Sequence, residues 1–276
     1  MSDARDRNPQ GKEMADESMV RTLSAQARLI WPQERALFAR YPLGGRLRVL
    51  DVGCGTGEIT RRLADLYPEA ELVGVDIVDE HLDRARARST AYGERVRFER
   101  GDAFRLGVGD GHFDLVVCRH MLQAVPDQQL VVRELLRVTR SGGRLHLIAE
   151  DYHMLSFHPE PGEPDPDDFW RLGPVPFGDR VDSDLRIGRK VFPMLRAEGG
   201  RDLAVDYVVV DTLRVDRELF AQMMIAWRDG YVDGIARNTA LTHEEVVAHF
   251  DAMIATLRDE ERYAVWQVPV WTARKA

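Results

Sequence analysis

The chain has few cysteines and an excess of acidic over basic residues. Its 276 residues include two cysteines, Cys54 and Cys118, which excludes a disulfide framework and is typical of a reducing compartment. Lysine and arginine number 38 against 46 aspartate and glutamate residues, so the net charge is −8. Nucleic-acid binders usually carry a basic surface, and we therefore expect no nucleic-acid partner.

The chain also lacks a long hydrophobic run. Residues 1–16 are polar and contain no apolar stretch of the signal-peptide kind. No segment approaches the roughly 20 apolar residues that cross a bilayer. We therefore expect no membrane partner and a cytoplasmic location. Hydrophobic residues still make up 44% of the chain, which is enough to build a core.

Apolar strands alternate with helical patterns through the middle of the chain. Helices are expected between the predicted strands, which are 47–52, 71–76, 96–101, 113–118 and 144–150. This alternation is typical of βαβ units and predicts a doubly wound α/β domain with parallel pairing. Ligands of such sheets bind at the carboxyl ends of the strands.

Two segments precede this alternating region. Residues 1–17 are charged, which predicts a disordered tail. Over residues 18–45 apolar side chains recur at helical spacing and predict a helical cap. Pro32 should divide that cap into two helical pieces.

The pattern changes again after residue 152. Residues 153–182 combine many prolines with aromatic side chains. We expect an irregular lid loop over the ligand edge of the sheet, with a solvated acidic linker as the alternative. Residues 183–276 are expected to complete the sheet, beginning with a helix at about 183–198.

Two more strands are predicted near the end of the chain, at 203–212 and 263–272. The residues between them have a helical pattern, which predicts a helical insertion at about 215–258. Thr242 and Glu245 have the spacing of a capping box at the start of its second helix.

Residues 49–57 carry the most informative motif, and they read V-L-D-V-G-C-G-T-G. A strand, a glycine turn and a helix beginning at Glu58 form a nucleotide-type binding corner. A dinucleotide fingerprint would need glycine at position 58, and the carboxylate of Glu58 would repel a pyrophosphate. Asp51, just before the turn, favours a cationic ligand.

The D-x-G-C-G-T-G string resembles motif I of the class I S-adenosylmethionine (SAM)-dependent methyltransferases. The resemblance covers about residues 46–150 and implies a SAM-binding core at 46–152 within a seven-stranded Rossmann-like sheet. SAM carries an ammonium and a sulfonium but no phosphate, so its charge suits a loop that follows Asp51. The resemblance thus implies SAM as the cofactor.

The resemblance also implies a cofactor site at the ends of the first four strands. Asp51 would meet the ammonium of SAM, Asp76 would accept hydrogen bonds from the ribose hydroxyls, and Asp102 would contact the adenine amino group. Asp102 could instead be a turn residue that caps the next segment. The implied cofactor-binding residues are Asp51, Gly53, Cys54, Gly55, Gly57, Asp76, Ile77, Asp102, Ala103 and Arg119.

Ionisable residues follow the fourth and fifth predicted strands. Methyl transfer to a hydroxyl or a protonated amine requires removal of a proton, and histidine suits that work near neutral pH. We predict His153 as the base, with Glu150 and Tyr152 orienting the acceptor and His120 as the other candidate base. The alternative is that these residues cap the strand and tether the lid.

The predicted function is methyl transfer from SAM to oxygen or nitrogen of a small-molecule metabolite, in secondary metabolism among other settings. Carbon methylation, a protein- or RNA-directed methyltransferase, a non-catalytic SAM-binding module and a nucleotide-dependent oxidoreductase are the alternatives. The histidine spacings match no metal-ligand motif, so no metal is predicted. The sequence leaves the oligomeric state open, with a homodimer as one option.

Overall fold

A computed structural model describes residues 8–10 and 14–276 of the chain. Within these residues the strands are β1 (Arg48–Val52), β2 (Glu71–Asp76), β3 (Val96–Arg100), β4 (Phe113–Arg119), β5 (Thr139–Ile148), β6 (Leu155–Phe157), β7 (Arg201–Asp211) and β8 (Ala264–Arg274). They form one sheet in the order β3–β2–β1–β4–β5–β8–β6, and β7 also pairs with β8.

Helices flank the sheet on both faces. They are α1 (Glu17–Phe38), α2 (Glu58–Leu66), α3 (Asp79–Arg88), α4 (Gln128–Val138), α5 (Pro166–Leu172), α6 (Pro174–Arg180), α7 (Val191–Ala197), α8 (Arg217–Asn238) and α9 (His243–Arg258). Among the described residues, none of these helices combines the length and the apolar character that crossing a bilayer requires.

Strands β1 to β5 pair in parallel, whereas β8 runs antiparallel to β5, β6 and β7. This confirms the predicted doubly wound α/β fold. The described sheet has eight strands rather than seven, because the segment predicted as a lid loop contributes the three-residue strand β6. Leu155 and Phe157 alternate inward and are buried, which gives this short strand its place at the sheet.

The N-terminal helix α1 is one continuous helix through Pro32, and the prediction of two pieces was wrong. Proline removes the helical hydrogen bond to the carbonyl of Arg28. Arg28 lies on the exposed side of α1, where water can satisfy that carbonyl. On the other side, Ile30 and Phe38 are buried, so packing stabilises the helix on both sides of the proline.

The proline-rich segment is helical in part, which corrects the prediction of an irregular loop. α5 and α6 are seven-residue helices, and each begins with proline in its first turn. Proline is favoured at that position because its missing N–H would have no partner there. Phe169, Trp170 and Phe177 of these helices are buried, so the segment packs onto the domain.

Two helices, α8 and α9, occupy the interval between β7 and β8. The predicted capping box is confirmed: Thr242 accepts a hydrogen bond from the Glu245 amide, and Glu245 accepts one from the Thr242 amide. The helix predicted from residue 183 begins only at Ile187, as a single 3-10 turn that leads into α7. The proposed segment boundaries remain predictions.

The apolar core lies on both faces of the sheet. Leu63 of α2 and Leu82 of α3 belong to one cluster, and Leu135 of α4 belongs to a second. A third cluster surrounds Trp266 of β8 and joins α1, α5, α6, α8 and α9 to strands β5 to β8. Trp227 is part of this third cluster and also faces the cavity described below.

Candidate active site

A cavity lies along the carboxyl ends of the parallel strands, with a volume of about 1430 Å³ including its opening to solvent. Gly53 after β1, Asp76 at the end of β2 and His120 after β4 line it. α1 covers it with Leu23 and neighbouring side chains.

The described part of the predicted N-terminal tail also contributes to this cavity. Gln10 is buried in its wall and donates a 2.6 Å hydrogen bond to Ser183. The hydroxyl of Tyr231 is 3.3 Å from the side-chain oxygen of Gln10. Residues 8–10 therefore lie against the domain; residues 1–7 and 11–13 of the predicted tail lie outside the described residues.

The glycine turn after β1 requires glycine at each of its glycine positions. Gly53, Gly55 and Gly57 have φ angles of 71°, 52° and 72°, a region that other residues rarely adopt. A Cβ atom at Gly55 would lie 2.7 Å from a methyl carbon of Leu23 on α1. The turn therefore presents bare backbone to the cavity beneath α1.

Asp76 connects this turn to the second strand. Its carboxylate accepts hydrogen bonds from the Gly55 amide at 2.8 Å and from the Val78 amide at 3.0 Å. Asp102 lines the same cavity and accepts a 2.9 Å hydrogen bond from the Phe104 amide, as the turn interpretation predicts. The carboxylates that follow β2 and β3 thus lie at one edge of the sheet.

Of the predicted cofactor residues, most line the main cavity: Gly53, Gly55, Asp76, Ile77, Asp102, Ala103 and Arg119. Asp51 and Cys54 line a smaller adjoining cavity of about 360 Å³, together with Arg119. Gly57 lines neither cavity, since its Cα packs beside the Phe98 ring.

Asp51 is buried at the floor of the smaller cavity, with an exposed fraction of 3%. Its carboxylate accepts a 2.6 Å hydrogen bond from the Thr60 hydroxyl. Burial raises the pKa of Asp51 to about 6, although the Thr60 hydrogen bond opposes that rise. The charge of Asp51 therefore changes within the range in which most enzymes work.

Glu34 on α1 forms a buried network that the sequence did not predict. One of its oxygens accepts a 2.8 Å hydrogen bond from Arg119 Nε and lies 2.9 Å from His146 Nε2. The Tyr41 hydroxyl lies 2.6 Å from the other nitrogen of His146. Burial alone would raise the pKa of Glu34, but Arg119 and His146 outweigh it and lower that pKa to about 2. Glu34 is therefore ionised and pairs with Arg119.

His120 and Glu150 form a second buried pair, between the ends of β4 and β5. Nδ1 of His120 is hydrogen-bonded to one carboxylate oxygen of Glu150, which is fully buried. The His120 backbone is in the left-handed region, with a φ of 53°, and its amide donates to the Ile148 carbonyl. Strained backbone of this kind often occurs at functional sites.

Several buried polar atoms around these two pairs have no hydrogen-bond partner among the described residues. Buried polar groups are normally paired, and unpaired ones commonly mark a missing ligand or water. Arg119, His120 and Gln123 line the main cavity, so their unpaired atoms mark a place for a polar ligand, whereas Glu34 and Glu150 lie behind them and line neither cavity. The atoms are Glu34 Oε2, Arg119 Nη2, His120 Nε2, Gln123 Oε1 and Glu150 Oε2.

The structure does not bring His153 to this border. His153 is exposed on the 3-10 turn Tyr152–Met154, and it does not line either cavity. Asp151 accepts a hydrogen bond from the His153 amide and pairs with Arg189, which turns the chain outward. The histidine next to Glu150 is therefore His120, from the neighbouring strand.

Part of the lining of the main cavity is an aromatic wall. We use this name for six side chains that line the cavity from the Tyr152 turn and from α5, α6, α8 and α9: Tyr152, Trp170, Phe177, Trp227, Tyr231 and Phe250. The sequence predicted aromatic side chains only in the proline-rich segment. The helical pattern of α8 and α9 did not show which of their faces would meet a ligand.

Within the described residues, no group of three or more histidine, cysteine, aspartate or glutamate side chains is placed to hold a metal ion. Cys54 and Cys118 are buried free thiols. Burial raises the pKa of the Cys54 thiol well above its ordinary value, which leaves it unreactive at neutral pH.

Comparison with known proteins identifies the central segment. Residues 49–143 match the family model described as "Methyltransferase domain". The chain is 42% identical over 101 residues to a demethylmenaquinone methyltransferase of Deinococcus radiodurans, a match covering 37% of this chain and 42% of that protein. It is 39% identical over 108 residues to the 27-O-demethylrifamycin SV methyltransferase of Amycolatopsis mediterranei, covering 38% and 39%. The matches thus span about two-fifths of these curated relatives.

Solved structures agree on the fold. A phosphoethanolamine N-methyltransferase of Haemonchus contortus, in complex with phosphomonomethylethanolamine and S-adenosylhomocysteine, superposes with a TM-score of 0.57. It is 19% identical, and the alignment covers 89% of this chain and 52% of that one. Motif, sheet order and matched segment agree, and residues 49–143 are therefore a methyltransferase domain of the class I, SAM-dependent type on a Rossmann-like sheet.

Proposed function

We propose that this chain transfers the methyl group of SAM to oxygen or nitrogen of a small molecule, with His120 and Glu150 removing the acceptor's proton. The observation that carries the proposal is the buried His120–Glu150 pair. His120 lines both the main cavity and the smaller cavity that contains Gly53 and Asp51. In this proposal the glycine turn and the smaller cavity are the donor side, and the aromatic wall is the acceptor side.

The residues on the donor side suit SAM. The cationic ammonium matches Asp51, and the glycine turn leaves room for the amino-acid part of the donor. Asp76 offers carboxylate lone pairs to the ribose hydroxyls, while Ile77 and Ala103 offer an apolar border to the adenine. When bound, SAM supplies a methyl group that its sulfonium has made electrophilic.

The protein's own part in the reaction is alignment and proton removal. Because Glu150 accepts the proton on Nδ1 of His120, Nε2 has a lone pair that can take a proton from a hydroxyl or an ammonium. The aromatic wall holds the acceptor in place and excludes water, which favours in-line approach of the nucleophile to the methyl carbon.

Replacing Asp76 by asparagine should weaken binding of S-adenosylhomocysteine by about 10–100-fold, because hydrogen bonds to a charged group contribute roughly 1.5–3 kcal/mol. Isothermal titration calorimetry measures this affinity without turnover. The matched control is Asp79→Asn, since Asp79 is exposed on α3 and lines neither cavity. Wild-type affinity in the Asp76 variant would contradict the proposed donor site.

The affinity for S-adenosylhomocysteine should depend on pH through Asp51. With a pKa of about 6, this carboxyl is mostly neutral at about pH 5 and mostly ionised at about pH 7.5, so binding of the cationic ammonium should strengthen by about tenfold between them. Calorimetry on the wild type and on Asp51→Asn checks this, and the variant should bind weakly at both pH values. If the affinity of Asp51→Asn for S-adenosylhomocysteine depends on pH as that of the wild type does, Asp51 is not the source of the pH dependence.

Thermal unfolding of the Asp51 variant supplies the folding control. The pKa of Asp51 is higher in the folded protein than in the unfolded chain. Its protonation therefore stabilises the fold below about pH 4, and this stabilisation is lost as the pH rises through about 6. Asp51→Asn should therefore be at least as stable as the wild type at neutral pH, so weak binding there cannot come from poor folding.

A labelled-donor screen tests the reaction itself. Extracts of small molecules, protein and RNA are incubated with the protein and methyl-labelled SAM, and mass spectrometry locates the label and the modified atom. Label on oxygen or nitrogen of a small molecule supports the proposal. Label found only in protein, only in RNA or on carbon contradicts it, as does binding of NAD in the absence of SAM binding.

A further inference from the structure

We infer that the methyl acceptor is an uncharged, planar aromatic molecule that presents a ring hydroxyl to His120. The inference rests on the proposed function and names the substrate class of the same site. The aromatic wall contributes six rings to the lining of the main cavity.

The rings of this wall are held in fixed planes. Tyr152 stacks on Trp170, with centroids 5.3 Å apart and an interplanar angle of 26°. Trp227 meets Tyr152 edge-on at 5.4 Å, and it is held in turn by an edge contact with the buried Trp266 at 5.8 Å. Flat rings that already pack against one another favour a flat ligand, because offset stacking and edge contacts with it require little further ordering of side chains.

Among the described residues, the acidic, arginine and histidine side chains that line the main cavity come from α3 and from the carboxyl ends of β2, β3 and β4: Asp76, His81, Asp102, Arg119 and His120. The described lining residues from α5, α6, α8 and α9 carry no formal charge; they are Trp170, Pro174, Phe177, Trp227, Tyr231, Ile235 and Phe250. A charged acceptor would lose its hydration there without gaining a counter-ion. The wall therefore favours a neutral molecule.

A ring hydroxyl suits His120, the base proposed for this site. A phenolic hydroxyl has a pKa near 10, so one histidine assisted by Glu150 can accept its proton as the new bond forms. In the balanced step the O–H bond breaks and its proton moves to Nε2 of His120. The oxygen bonds to the methyl carbon, and the electron pair of the breaking C–S bond returns to sulfur, which loses its positive charge.

Four probes that share a two-ring skeleton test charge and planarity separately. Calorimetry measures the binding of 1-naphthol, its anionic relative 1-hydroxy-2-naphthoate, the cationic 1-naphthylmethylamine and the saturated, non-planar decahydro-1-naphthol. The protein is first saturated with S-adenosylhomocysteine, so that no turnover occurs. We expect 1-naphthol to bind at least about tenfold more tightly than each of the other three.

Variants locate the binding at the aromatic wall. Trp170→Leu and Tyr231→Leu should each weaken 1-naphthol binding by about tenfold and leave S-adenosylhomocysteine binding nearly unchanged. Phe192→Leu is the control, because Phe192 is exposed on α7 and does not line the cavity. If Trp170→Leu fails to fold, Tyr231→Leu decides the outcome, since Tyr231 is only partly buried.

The outcomes separate the inference from the proposed function. Absence of S-adenosylhomocysteine binding overturns the proposed function, and the inference falls with it. If that product binds, tightest binding of the anion or the cation overturns the inference alone. Equal binding of the saturated probe, or no binding of any probe, also overturns it while the methyltransferase proposal stands.

Discussion

Replacing His120 by asparagine should lower kcat by about 10²–10⁴-fold, which is the usual contribution of a general base. In the proposed mechanism Glu150 fixes the imidazole through Nδ1, and Nε2, which has no partner among the described residues, takes the acceptor's proton. Asparagine tolerates the left-handed backbone of position 120 better than most residues, so the fold should survive. Initial rates with the acceptor found in the labelled-donor screen measure the effect.

His153→Asn is the matched control for this prediction. His153 is exposed and lines neither cavity, and its replacement should leave kcat nearly unchanged. Binding of S-adenosylhomocysteine should be close to wild type in both variants, because neither histidine is proposed to hold the donor. Full activity in the His120 variant, together with loss in the His153 variant, would reverse the assignment and restore the prediction made from sequence.

Replacing Glu34 by glutamine should lower the free energy of unfolding by about 3–5 kcal/mol, because it leaves the buried Arg119 charge without its carboxylate. Both side chains are almost completely buried, so water cannot replace the lost partner. Urea unfolding followed by circular dichroism measures the change. The double variant Glu34→Gln with Arg119→Gln should recover part of the loss, since it removes the stranded charge as well.

An exposed ion pair supplies the control for this stability prediction. Glu218→Gln breaks the pair with Arg258 on the surface, where both side chains are about half exposed. This substitution should lower the free energy of unfolding by less than about 1 kcal/mol. If the Glu34 and Glu218 variants lose equal free energies of unfolding, burial does not determine how strongly the Glu34 network stabilises the protein.

The contribution of Glu34 to the free energy of unfolding should decrease as the pH falls. Its folded-state pKa of about 2 lies below the ordinary value of 4.5, so its contribution is present above pH 4.5 and lost as pH falls through about 2. The stability gap between the wild type and Glu34→Gln should therefore be full at neutral pH and narrow in strong acid.

Features that depend on neighbouring residues were predictable from the sequence. The glycine turn, the acid at the end of β2 and the capping box of α9 each involve residues whose spacing along the chain sets their geometry. The alternation of strands and helices likewise predicted parallel pairing, because βαβ connections allow few arrangements. The donor side of the cavity is made largely of such features.

The proposed proton-accepting pair was only half predictable, because it joins residues that are distant in sequence. The sequence pointed to Glu150, but its nearness to His153 along the chain did not show which way either side chain points. His120 reaches it from the adjacent strand, thirty positions away. Glu34 is even farther from Arg119, and although its spacing from Ile30 and Phe38 places it on the buried face of α1, that spacing does not show which partner it would meet.

The place of β8 in the sheet has a consequence for biosynthesis. Among the described strands, β6 and β7 pair only with β8, which follows them in the chain and is therefore synthesised after them. Strands β1 to β5 pair with one another without β8, so the parallel part of the sheet can assemble earlier during translation. The core cluster around Trp266 needs residues 264–274, and the antiparallel part of the sheet therefore forms after the parallel part.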